Sequence, residues 1–182
     1  ILTAIGDKRA SRALVRESGL RWLVLRVGVS LDPRQSKAGG DVLRTMFEVS
    51  PDARLELVHP GDVALAMVHA LDCDEAWERV LCIGGGESCR VHYRDLFDCA
   101  FGAVGIGRLP EAAFGRGPYY TDWLDTAESQ RLLRYQTRSF ADYRLECWRA
   151  LRGLRWIITP VRPLARWGLL RYSRPWRERG RP

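Results

Sequence analysis

The chain has 182 residues, is 46% hydrophobic and carries a formal net charge of +7, a size that suits one domain, with room for a second small one, and buries a core without disulfide or metal staples. Its five cysteines (Cys73, Cys82, Cys89, Cys99 and Cys147) include no C-x-x-C pair, and the histidines His59, His69 and His92 are scattered, which argues against a disulfide framework or a metal site and for free, mostly buried thiols in a reducing cytoplasm. No apolar run is long enough to span a membrane, and the start carries no signal-peptide pattern.

The sequence opens on Ile1, as a fragment or processed chain would. Alanines and charged residues over 3–18 predict a helix, stopped at Ser18-Gly19 with Gly19 as its cap. The nearly all-apolar run Trp22–Val27 predicts a strand of a parallel sheet covered on both faces. Pro33, Gly39, Gly40 and Pro51 break up the next stretch, leaving a short helix-like piece near Val42–Phe47. Leu55, Leu57 and His59 alternate with polar neighbours, as in a half-buried strand. Asp62 is placed to cap a helix whose apolar stripe is Val63, Met67, Ala70 and Leu71. Val80–Ile83 predicts another strand, ended by Gly84-Gly85-Gly86, before a helix over about 93–104. Residues 105–121 read as loop, Asp125 with Glu128 as a capping box for a helix through Leu133, and about 140–151 as a further helix. Strands alternating with helices indicate an α/β layered fold.

Four segments, in this order, carry a resemblance. GDKRASRALVRESGLRWLVLRVGVS, VHPGDVALAMVHAL, VLCIGGGESCRVHYRDLF and TDWLDTAESQRLLRYQTRSFADY together resemble the C-terminal portion of the extended short-chain dehydrogenases/reductases of the NAD(P)-dependent epimerase/dehydratase type. The similarity covers about residues 3–150. It implies a partial Rossmann-type parallel sheet with a small α/β substrate-binding lobe, in a protein that acts on a sugar nucleotide or a similar small carbonyl or carbinol substrate with NAD or NADP. In that family a tyrosine phenolate is the general acid/base, and a lysine four residues on lowers its pKa. A phenol titrating near ~10 needs such a neighbour to act as a base at neutral pH.

The chain departs from that pattern at the tyrosine. With Lys8 as the family lysine the tyrosine slot is Ala4; with Arg9 it is Ile5; neither carries a hydroxyl. Lys8 is thus either a ribose contact or a solvated helix lysine. The resemblance makes Arg26, Gly28 and Val29 cofactor-facing, with a bend-forming glycine as the alternative. It places His59 and Asp62 beside the substrate cleft and Tyr119, Tyr120 and Trp123 in the substrate lobe, where they line a pocket or form a packed lid. The family's phosphate-gripping glycine loop does not occur: GAVGIG at 102–107 follows a helix instead of a strand, and Gly84–Gly86 lack the spacing, so both read as turns. The expectation is therefore a fragment lacking the dinucleotide loop, or a catalytically inactive binding module of the same fold.

The charge is uneven. Residues 148–182 hold ten arginines and one acid, Glu178, for a net +9. Arginine there interleaves with Trp148, Trp156, Trp167 and Trp176, while Pro160 and Pro163 forbid one long helix. This basic arm, set apart from residues 1–147, is expected to pack its tryptophans on the body and leave arginine in water. Association with an anionic membrane surface ranks second and nucleic acid a distant third.

Overall fold

The computed structural model describes residues 2–32, 40–119 and 121–179, with side chains from residue 10 onward. Helix α1 (Leu2–Glu17) is followed by Gly19 at a φ of 73°, a left-handed conformation that glycine takes without strain. Strand β1 (Leu23–Val27) comes next, then α2 (Gly40–Glu48), β2 (Arg54–Glu56), α3 (Pro60–Leu71), β3 (Arg79–Ile83), β4 (Arg90–His92) and α4 (Tyr93–Ala103). The chain closes with α5 (Ala127–Leu133), α6 (Phe140–Ile158), α7 (Arg162–Leu170) and α8 (Arg174–Glu178).

The four strands make two two-stranded sheets. β1 pairs in parallel with β3, from Leu23 opposite Arg79 to Val27 opposite Ile83. β2 pairs antiparallel with β4. The β1–β3 pairing continues with Gly28 N donating to Ile83 O (2.8 Å), and the two sheets are stitched together just beyond it by Val29 N to Glu56 O (3.1 Å) and Gly85 N to Leu57 O (2.8 Å).

Two strand expectations need correction. β1 is not covered on both faces: none of its residues is buried, and Arg26 and Val27 are exposed. Only β3 pairs with it among the described residues. The strand at 55–59 does not alternate wet and dry either. Leu55, Glu56, Leu57 and Val58 are all buried, because β2 runs between β4 and the ends of β1 and β3.

Helix ends also differ in detail. α3 is capped by His59, whose Nδ1 accepts from Gly61 N at 2.9 Å, and not by Asp62, which sits one turn in and points elsewhere. The Asp125–Glu128 box does not form: Asp125 reaches only Ala127 N (3.2 Å), and Glu128 pairs with Arg79. The capping box lies instead at the start of α6, where Ser139 and Asp142 exchange hydrogen bonds. α6 runs to Ile158, beyond the expected end near 151, because nothing before Pro160 stops it and Gly153 is tolerated inside.

Three apolar clusters hold the fold. Leu55, Leu57, Val91, Tyr93, Phe97 and Tyr143 join β2 and β4 to α4 and α6; burial pushes the Tyr93 and Tyr143 phenols well above their ordinary value. Val58, Ala66, Leu81, Ile83, Leu133 and Tyr135 join α3, β3 and α5. Phe47, Ile106, Leu109 and Ala113 make the third, against Ile158, Ala165, Leu169 and Leu170 from the C-terminal helices.

Residues 148 onward are thus continuous with the body. α6 crosses position 148 unbroken, and buried Ser173 donates through Oγ to Ala113 O at 2.5 Å. The docking departs from the expected arrangement in the choice of side chains that reach the body. Arg155 donates to Gly102 O (3.2 Å), Arg162 to Ile106 O (2.9 Å) and Arg166 to Arg108 O (2.7 Å), while Trp156 and Trp167 face solvent. The Ile106 and Arg108 carbonyls lie past the C-terminal end of α4, where no helical N–H follows, and guanidinium groups satisfy them better than an indole does. The turn there passes Gly105 (φ 90°) and Gly107 (φ 75°), with Thr159 and Arg162 against them, so the glycines of 102–107 end a helix, as expected.

Candidate functional site

In open α/β sheets the ligand crevice lies beyond the carboxyl ends of parallel strands. Here that position is built by Gly28 and Val29 after β1, Gly84–Gly86 after β3, and Glu56 of β2. Glu56 is fully buried, yet every oxygen has a donor: Gly86 N reaches Oε1 at 3.0 Å, Leu124 N reaches Oε2 at 3.0 Å and Arg90 Nε reaches Oε2 at 3.3 Å. A β-carbon on Gly84 would collide with that carboxylate, and one on Gly85 with Leu57 and Cys89, so the triple glycine admits close packing. Tyr135 completes the turn from beneath, its hydroxyl donating to Gly84 O (2.9 Å) and accepting from Gly84 N (3.1 Å).

Outside this buried carboxylate lies an exposed cationic–aromatic face. The Arg54 guanidinium sits 4.9 Å from the Trp123 ring centre and that of Arg90 5.8 Å from it, with the His92 ring at 6.4 Å. Asp122 binds Arg54 at 2.6 Å and accepts from Trp123 N at 2.7 Å. The Trp123 N–H, and then Arg54, hold the Asp122 carboxyl below its usual range. Two guanidiniums beside an indole can meet a phosphate and a flat ring together.

The residues singled out in sequence fall at separate places. Lys8, with Ala4 and Ile5, lies on α1, but its side chain is outside the described residues, as is Tyr120. Arg26 is exposed near the end of β1. On the side where a β-carbon would sit, Gly28 is already met by Leu124 Cδ1 at 3.1 Å and by the Glu56 and Ile83 carbonyls, and Val29 hydrogen-bonds Glu56 and Val58 through its backbone.

His59 uses both ring nitrogens. Nδ1 accepts from Gly61 N, so Nε2 carries the proton and donates to Glu146 Oε2 at 3.0 Å. Asp62 is fully buried and clamped by the segment before α6: Thr137 N (3.1 Å), Thr137 Oγ1 (2.6 Å), Arg138 N (3.1 Å) and the Arg138 guanidinium (2.7 Å). Tyr119 packs on Tyr93 with ring centres 5.1 Å apart, and burial raises its phenol pKa. Trp123 is placed beside the arginines. Glu56, Arg54 and Arg90 were not singled out in sequence, because nothing in the pattern around Leu55 distinguishes a buried acid from a wet one.

Cys89 and Cys147 are buried and Cys73, Cys82 and Cys99 half-buried, all free. Among the described residues no cluster of three histidine, cysteine or acidic side chains is placed to hold a metal, and no helix is long and apolar enough to cross a membrane.

No protein-family model matches the sequence, and no curated protein matches it. Solved structures do match. UDP-glucuronic acid 4-epimerase from Bacillus cereus, solved in complex with UDP-glucuronic acid and NAD, aligns with a TM-score of 0.62 at 17% identity over 84% of this chain and 52% of its own. UDP-glucose 4-epimerase from Thermotoga maritima, solved with UDP-glucose, aligns with a TM-score of 0.52 at 20% identity over 85% of this chain and 52% of its own. UDP-N-acetylglucosamine 4-epimerase from Bacillus cereus gives 0.51 at 16% identity, over 86% and 51%. The chain spans about half the length of these structures, and it has the fold of the C-terminal half of the Rossmann-type UDP-sugar epimerases.

Proposed function

We propose that this chain is the substrate-side half of an NAD(P)-dependent epimerase- or oxidoreductase-type protein whose substrate is a sugar nucleotide or a similar small carbonyl or carbinol compound. The glycine loop and the rest of the dinucleotide site belong to a longer parent. The supporting observation is the unfinished sheet. Two parallel strands do not make a stable sheet by themselves, and parallel sheets are normally covered on both faces. Here the flank of β1 is an open groove of about 560 Å³ lined by apolar side chains that include Leu14, Leu20, Leu23, Leu25, Met67 and Leu71. A half-domain carrying the remaining strands fits that edge.

In this reading Lys8, Arg26, Gly28 and Val29 form the chain's border with the cofactor, and His59 and Asp62 the border of the substrate cleft. Tyr119, Tyr120 and Trp123 belong to the substrate lobe, with Arg54 and Arg90, paired to Asp122 and Glu56, beside Trp123. A second reading, a catalytically inactive binding module of the same fold, is favoured by one fact: Ala4 or Ile5 stands in the tyrosine slot. The test is made on the longer parent, by calorimetric titration of NAD and NADP together with isotope exchange at the substrate carbon. Binding with exchange supports the enzyme. Binding without exchange supports the inactive module. No binding at millimolar cofactor ends the dinucleotide reading.

A further inference from the structure

We propose that the corner between α6 and α7 docks the chain on an anionic membrane surface; this does not depend on the epimerase-type reading. Trp156 is 84% exposed, Ile157 69%, Leu164 68% and Trp167 60%, and Leu154 and Val161 beside them are also exposed. These are large apolar side chains on consecutive turns, where single exposed ones would need no explanation. Their outward direction is fixed from within. On α7, Arg162 and Arg166, four residues apart, turn inward to the Ile106 and Arg108 carbonyls, which leaves Leu164 and Trp167, three apart, on the outer face.

Charge complementarity selects the partner. Residues 148–182 carry ten arginines, and their one acid, Glu178, is engaged by Arg174 at 2.7 Å. Arg152 lies 5.4 Å from the Trp148 ring centre and Arg171 4.6 Å from that of Trp167, so each pairs a cation with an indole, the combination that settles at headgroup level. An open groove of about 600 Å³, lined by Trp167 and Trp176 among others, offers the Arg171 and Arg177 guanidiniums to a lipid phosphate. Nucleic acid would use the cations and indoles but leave Leu154, Ile157, Val161 and Leu164 without a role, whereas the headgroup–acyl boundary takes all of them. A second copy of the chain would oppose one +9 segment to another. The helices lie on the surface and do not span it.

The test is flotation of the full chain with phosphatidylcholine vesicles, with and without phosphatidylserine, at several salt concentrations. The chain should float with the serine-containing vesicles only, and less so as salt rises. Replacing Trp156, Leu164 and Trp167 together by serine should weaken binding by about tenfold or more with an unchanged melting curve, since all three are exposed. Should that variant melt early, Arg149→Glu with Arg152→Glu takes its place, with loss of flotation expected. Equal flotation with and without phosphatidylserine, or variants that float like the parent sequence, would overturn the proposal. So would binding of single-stranded RNA without vesicle binding, or a lipid-free dimer abolished by the serine variant.

Discussion

Glu56 and Asp62 are both removed from water and both surrounded by donors, a combination that makes the carboxylate and its surroundings depend on each other. Asp62 accepts from two backbone N–H groups, a hydroxyl and a guanidinium. An asparagine there would present N–H to at least one of those donors and leave Arg138 without its counter-charge. Asp62→Asn should therefore destabilise the chain by about 3 kcal/mol in a urea titration, with the slope unchanged. Glu56→Gln should cost about 2 kcal/mol by the same logic, because Gly86 N, Leu124 N and Arg90 Nε leave no acceptor for an amide N–H. Loss of that clamp should also raise hydrogen exchange at Leu124 and Gly86. Sequence identified Asp62 as important and gave it the wrong partner. The carboxylate's donors stand 75 residues away, and no local pattern couples positions so distant. Glu56 was invisible for a different reason: an acid between Leu55 and Leu57 reads as the wet side of an alternating strand unless the three glycines opposite it are known to close over it.

At the level of elements, most helices and strands were legible because their signals are local. The apolar stripes, Gly19, Pro160 and Pro163 and the glycine runs all act within one or two turns. The expected capping box at Asp125 and Glu128 failed for a tertiary reason, since Arg79 takes Glu128, while Asp142 stays with Ser139 at the start of α6. The Ser139 hydroxyl, followed by its backbone N–H, lowers the Asp142 pKa. A carboxylate so shifted stabilises the fold fully above its unfolded pKa, near ~3.9, and loses that contribution as pH falls through the lower folded value. Ser139→Ala should cost about 1 kcal/mol at neutral pH. The gap between Asp142→Asn and the parent sequence should stay constant from neutrality down to the ordinary carboxylate range, then close in more acidic solution. Thermal melts across that range decide it; a gap that widens in acid would refute the capping assignment.

For the whole molecule, the decisive feature is the apolar flank of β1. Sequence pointed to a parallel sheet, and β1 with β3 supplies one, but β1 is half-buried at best: Leu23 and Leu25 pack on the α3–β3 cluster, and Arg26 and Val27 are exposed. If that flank is where another half-domain sits, the same substitution should act differently in two contexts. Leu20 is 73% exposed and Leu71 70% exposed, both in the open groove. In the isolated chain, Leu20→Glu with Leu71→Glu replaces apolar surface that water already reaches, so stability should move by no more than about 0.5 kcal/mol and binding of a hydrophobic dye should fall. In the longer parent the same pair would place two carboxylates inside an interdomain contact. The expected penalty there is several-fold larger, about 3 kcal/mol, because a buried charge without a partner is far costlier than an exposed one. Parallel melting curves of the isolated chain and the parent measure this difference directly. Equal, small effects in both would mean that the flank stays open in the parent, and the half-domain reading would lose its main support.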